Sequence, residues 1–168
     1  MYAHTRSVVT LVVLGTMLVI GAVWGWSMVT KPFPGKAQVP ICVQRTIAAG
    51  ERVFPEQVTV SVLNAGTREG LAGRTMQLLR DQGFAAGNLN NAPPGTKVAG
   101  AQIWTTDPGN PAVKLVASRL GHGAEVVRRD APAAGVVVVV GDDFTDLSKG
   151  RKSMVAAGGA EICSPPVA

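Results

Sequence analysis

Two cysteines, Cys42 and Cys163, flank most of the chain that could fold as a domain. Thiols in this position do redox chemistry or cross-link, and the compartment decides which, because disulfides persist outside a reducing cytoplasm. A bond between them would close a loop of more than 100 residues. For such a loop the chain-entropy model gives on the order of 4 to 5 kcal/mol. The expectation is an intramolecular disulfide tying the entry of the domain to its exit, with two free thiols or pairing between chains as alternatives. No metal site is expected, since two distant cysteines without nearby histidines do not make a zinc set.

The other reactive residue types are sparse. The two histidines are His4, ahead of a long uncharged run, and His122, in Gly121-His122-Gly123. Neither sits near a serine or cysteine in a nucleophile motif, so no catalytic residue is assigned. Asp142, Asp143 and Asp146 form the one acidic cluster. Such carboxylates hold a divalent cation, or cap the turn after a buried strand and face water. The segment Asn64 to Gly70 follows a strand and opens a helix, so its N–H groups suit an anion. Asn64, Gly66 and Arg68 are its candidate ligand contacts, although the segment matches neither a P-loop nor a dinucleotide fingerprint. The basic runs Arg128-Arg129 and Lys149, Arg151, Lys152 are further candidates for anionic lipid or wall polymer, or are simply solvated surface.

These residues are carried by recognisable elements. Val58, Val60 and Val62 alternate with Thr59 and Ser61, which predicts a strand over Gln57–Leu63. Leu71, Ala72, Thr75, Leu78 and Leu79 share one face of a helix over Gly70–Gln82, stopped by Gly83, with Phe84 folding back. A weak strand follows in Ala85–Gly100, then a short one in Ala101–Thr106. Asp107-Pro108-Gly109 is a turn, and Asn110 caps a second helix with Pro111 at its first position. Val113, Val116, Ala117 and Leu120 line that helix to Gly121. A brief strand at Ala124–Val127 precedes five consecutive valines, Val136–Val140, the pattern of a central strand buried on both faces. The order strand, helix, strand, strand, helix, strand predicts an α+β fold: a βαββαβ two-layer domain, its two helices on one face of a small sheet.

Ahead of the domain, Ser7 to Thr30 holds no charged residue, and about 20 apolar residues suffice to cross a bilayer. A cleaved signal peptide has a shorter core and a small-x-small site, whereas this run ends in Trp24, Trp26 and Met28. The expectation is an uncleaved single-pass anchor with its tryptophans at the interface. Arg6 on one side and Lys31 and Lys36 on the other leave the positive-inside rule nearly silent. The cysteines place the N-terminus inside and the domain outside. Lys31 to Pro40, rich in proline, reads as a semi-rigid tether. Fifteen of the sixteen basic residues and all eleven acids follow the run, giving the remainder about +4. That balance favours anionic partners such as headgroups or wall polymers.

The series VSVLNAG, GLAGRTMQLLRDQGF, WTTDPGN and VVVVVGDDF resembles the LytR C-terminal domain over roughly Gln57 to Phe144. That module is appended to many LytR-CpsA-Psr proteins of Gram-positive bacteria. It also stands alone behind one transmembrane helix in actinobacteria, a form of the cell envelope integrity type. The resemblance implies an extracytoplasmic envelope module. It does not bring the transferase chemistry of the LytR-CpsA-Psr catalytic domain, for which this chain has no room.

The chain thus divides into a cytoplasmic tail (1–6), a transmembrane helix (7–30), a tether and N-terminal extension (31–56), a LytR C-terminal-like domain (57–144) and a tail tied back by the disulfide (145–168). The function expected is non-catalytic support of envelope integrity. The domain binds a cell-wall polymer or envelope protein, with no cofactor and no nucleic acid. The alternatives are an enzyme or enzyme subunit of wall polymer assembly, and a cytoplasm-facing, nucleic-acid-binding regulator.

Overall fold

A computed structural model describes residues 2–29, 40–121 and 123–166. The tether read at Lys31 to Pro40, apart from Pro40 itself, and His122 lie outside the described residues. The chain forms two compact units, Met1–Val39 and Pro40–Ala168. The first holds helix α1, Tyr2–Val29. Its segment Val8–Met28 is 21 residues long and apolar enough to cross a membrane. The Thr16 hydroxyl donates to the Val12 carbonyl at 2.7 Å, which keeps that polar group bonded within the helix.

The second unit is α+β. Its strands and helices are β1 (Val43–Ile47), β2 (Arg52–Val53), β3 (Thr59–Asn64), α2 (Leu71–Asp81), β4 (Ala85–Asn91), β5 (Ala101–Thr105), α3 (Pro111–Leu120), β6 (Ala124–Arg128), β7 (Val136–Val140), β8 (Met154–Val155) and β9 (Ala160–Ser164). Five strands make one mixed sheet in the order β4-β3-β7-β5-β6. β3 runs parallel to β4 and β7, β5 runs parallel to β6, and β5 runs antiparallel to β7. The expected strand–helix order is therefore extended: the brief Ala124–Val127 run is a true edge strand, and four short strands are added outside the central sheet.

The valine run is the central strand, and all five of its residues are buried. Two βαβ units flank it, one stepping to each side and running in opposite directions. Right-handed crossovers then place α2 and α3 on the same face. The side chains agree. Val60, Val62, Ile103, Val136, Val138 and Val140 pack with Leu71, Met76 and Leu79 of α2 and with Val113, Leu115, Val116 and Leu120 of α3. The opposite parity, Leu63, Trp104, Val137 and Val139, packs under loop residues including Ala92, Val98, Ala131 and Ala133. In α2 the buried position is Met76, while Leu78 of the predicted face is only partly buried.

The alternation in β3 does not mark a wet face, for Thr59 and Ser61 are both fully buried. Ser61 is affordable there because its hydroxyl donates to the Ala134 carbonyl at 2.6 Å and accepts the Asn88 N–H at 2.9 Å. The caps form as the turn residues predict. Asn110 accepts the Ala112 N–H at 3.0 Å. Gly83, at φ 93°, lets Phe84 turn back so that its N–H reaches the Leu79 carbonyl at 3.1 Å and its ring is buried.

Residues flanking the sheet close over it. β1 pairs antiparallel with β9, Val43 opposite Ser164 and Ile47 opposite Ala160. β2 pairs with β8. Ile47, Val53, Ala156 and Ile162 from these ribbons are buried in the helix-side core, so the polar tail is fastened by packing as well as by covalent linkage.

Candidate functional site

The β3–α2 turn binds a carboxylate, and the carboxylate belongs to the chain itself. β3 and β7 run parallel with Asn64 opposite Val140, so the turns after both strands lie side by side. Asp142 accepts the N–H of Thr67 at 2.9 Å and of Arg68 at 3.1 Å, and the Thr67 hydroxyl at 3.0 Å. The Arg68 guanidinium lies 3.8 Å from it. The two backbone N–H groups, with the Thr67 hydroxyl and Arg68, hold the Asp142 carboxyl below its ordinary range. Gly66 leaves room for this contact, since a Cβ there would overlap the Asp142 carboxylate.

The remaining groups of the turn are engaged too. Asn64 accepts the Gly66 N–H and donates to the Arg68 carbonyl, both at 2.9 Å. Arg68 also donates to the Phe144 carbonyl at 2.6 Å. Of the expected contacts Asn64, Gly66 and Arg68, only Arg68 donates to the Asp142 carboxylate; Asn64 and Gly66 bond within the turn, and Thr67 supplies the second N–H. Asp146 accepts the N–H of its own neighbour Leu147 at 2.7 Å. Among the described residues no three His, Cys, Asp or Glu side chains converge as a metal set.

The basic candidates are dispersed. Arg128 ends β6, and the Arg129 guanidinium lies over the Trp104 ring, 3.9 Å from its centroid. Lys149, Arg151 and Lys152 lie in an exposed segment beside the C-terminal end of α3. There the Arg151 N–H reaches the Ser118 hydroxyl at 3.0 Å, and Arg119 donates to the Arg151 carbonyl at 2.7 Å. Because β5 and β6 run against β3, Arg128 and Arg129 sit at the opposite end of the sheet from Asn64, Gly66 and Arg68.

A larger feature, absent from the sequence reading, lies at that opposite end. A cleft of about 820 Å³ opens between the β1–β9 ribbon and the end of the central sheet. Gln44 and Thr46 of β1 and Glu161 of β9 form one wall; Thr106, Asp107 and Asp130 lie across from them, and Trp104 is at its base. Cys42 and Cys163 are joined in a disulfide with Cα atoms 5.4 Å apart, and both line the ribbon wall. Asn110 ties the two walls together, capping α3 and donating to the Glu161 carbonyl at 2.8 Å. The cleft could be foreseen only by knowing that β1 pairs with β9 across a separation of more than 100 residues.

These features define a small α+β module, sealed by a cross-link between its termini and preceded by a helix of membrane-spanning length. The family model described as LytR cell envelope-related transcriptional attenuator matches residues 57–144. The chain belongs to that family, the LytR C-terminal domain family, over the span its motifs indicate. Among solved structures, the soluble domain of a conserved hypothetical secreted protein from Mycobacterium marinum is similar at 28% identity. That match covers 60% of this chain and 77% of the other, with a TM-score of 0.48. A search of curated proteins finds no match. The family match leaves out β1, β2, β8 and β9. One wall of the cleft therefore lies within the family match and the other outside it.

Proposed function

We propose that the chain is a non-catalytic, single-pass membrane protein of the cell envelope. Its N-terminus is cytoplasmic, and its domain stands outside the membrane and supports envelope integrity by binding a wall component or an envelope protein. The observation that carries this reading is the disulfide between Cys42 and Cys163 in a domain that follows a 21-residue apolar helix. A cross-link of that kind belongs to an oxidising compartment, and a helix of that length spans a bilayer. Membership of a cell envelope-related family fits the same setting. The non-catalytic part rests on the accessory character of the matched module. The stand-alone form of that module, of the cell envelope integrity type, is a functional parallel.

Protease accessibility in intact cells, read together with thiol alkylation, tests the reading. External protease should remove the domain, and both cysteines should resist alkylation until reductant is added. A protected domain with two reactive thiols would instead place it in the cytoplasm and overturn the proposal.

A further inference from the structure

The chain carries a formal charge of +5, yet the charged side chains lining the 820 Å³ cleft are all acidic: Asp107, Asp130 and Glu161. They come from three separate segments and do not converge as a metal set. The carboxylates are thus spread around the cleft. Two basic residues adjacent in sequence to the lining are not part of it: Arg45 pairs with Glu51 at 3.1 Å, and Arg129 lies over Trp104.

The two loop regions of the sheet contrast sharply. At the β3–α2 end, Asn64, Thr67, Arg68 and Asp142 satisfy one another. In the cleft, the side chains of Gln44, Thr46, Thr106, Asp130 and Glu161 make no hydrogen bond or ion pair with another described residue. A cleft of this volume falls within the range of about 300 to 1,000 Å³ usual for ligand sites.

The shape of the walls narrows the class of ligand. Cys42, Gln44 and Thr46 all face the cleft, so this wall repeats every two residues, the period of an extended polypeptide. β1 pairs only with β9, which leaves the backbone groups of its outer edge without a strand partner among the described residues. A sugar ring would want an exposed aromatic face. The aromatic residue of the cleft, Trp104, is 2% exposed and carries Arg129 over its ring. Carboxylates on both sides of the cleft, Glu161 on the ribbon and Asp107 and Asp130 across from it, complement lysine or arginine and repel anionic polymers.

We propose that the cleft is the docking site for an extended, lysine- or arginine-bearing segment of another envelope protein. This rests on the reading of the chain as a binding module and names the partner class. The recognition groups come from both walls: Asp107 and Asp130 lie within the family match and Glu161 outside it.

Fluorescence anisotropy with the full chain in uncharged detergent tests this. The probes are a labelled hexapeptide alternating alanine and lysine, its glutamine and glutamate counterparts, and chitotetraose as competitor. The lysine peptide should bind at least tenfold more tightly than the glutamine peptide, weaken as salt rises, and resist displacement by chitotetraose. The double variant D130N/E161Q replaces two exposed side chains with near-isosteres and should weaken binding about tenfold. The triple variant K149A/R151A/K152A should bind as the parent does. Absence of lysine-peptide binding, tighter binding of the glutamate peptide, displacement by chitotetraose, or indifference to D130N/E161Q would each overturn the proposal. Any of these with an externally accessible domain sinks the peptide cleft alone. A cytoplasmic domain sinks the broader reading and leaves the binding result as a property of the cleft.

Discussion

Replacing both cysteines by serine is the most severe test of how the termini hold the domain. The disulfide spans a sequence separation of 121 residues. Loop-closure entropy for that span gives about 5 kcal/mol at 25 °C. Domains of this kind have in total about 5 to 15 kcal/mol of stability. The domain is described over residues 40–121 and 123–166, and unfolding entropy runs at about 2.1 cal/mol/K per residue, which gives about 0.27 kcal/mol/K. The expected loss in melting temperature for Cys42→Ser/Cys163→Ser is therefore about 18 °C. Circular dichroism melts of oxidised parent and double variant measure it, and parent protein melted in reductant should fall with the variant. Ile47 and Ile162 are buried in the main core, so the ribbon should unfold together with the sheet. A fall below about 5 °C would refute this reasoning. Hydrogen exchange at Val43–Ile47 would then show whether the ribbon frays by itself while the central sheet stays folded.

Further outcomes follow from single contacts. Gly66→Ala and Asp142→Ala should each destabilise the domain, and their double variant should be little worse than either, because both break one contact; urea denaturation of the four proteins measures this. The folded-state pKa of Asp142 lies below its ordinary value of 3.8. Its stabilising contribution is therefore present above that value and lost as pH falls through the lower, folded one, so the urea midpoint of the parent should fall more steeply at acid pH than that of Asp142→Asn. Leu115→Ala, at a fully buried position of α3, should cost about 2 to 5 kcal/mol in equilibrium denaturation. Asn110→Ala removes the α3 cap and its link to the Glu161 carbonyl, and should cost about 1 to 2 kcal/mol in the same assay.

The helices and the central strand were readable because each announces itself within a dozen residues. The Val136–Val140 run, the Asn110-Pro111 start and the Gly83-Phe84 stop all depend on local chemistry, and the structure shows each of them. The candidate site was harder to read. The β3–α2 turn was recognised as an anion receptor, but its anion lies some 75 residues further on and reaches it only because β3 and β7 are parallel neighbours. Thr59 and Ser61 look like a solvent face in any period-two reading, and only the loop that covers them reverses that. Likewise the cleft needs β9 beside β1, and nothing in AEICS or VQRTI specifies that pairing until the cysteines are joined.

The place of β7 between the two βαβ units has a consequence for the birth of the protein. Synthesis runs from the N-terminus, so β3, α2 and β4 can close as one pair, and β5, α3 and β6 as another, before Val136 has been made. The two half-sheets share no strand contact without β7, which joins Val60 to Val136 on one side and Ala101 to Val140 on the other. Until it arrives, β3 and β5 each present a bare inner edge, the kind of edge that recruits foreign strands. The five valines act as a keystone delivered late, and β9 follows later still to meet β1. Quality control of the newborn chain should therefore hinge on its last fifth: a truncation just before Val136 leaves two open half-sheets, not a smaller version of the domain.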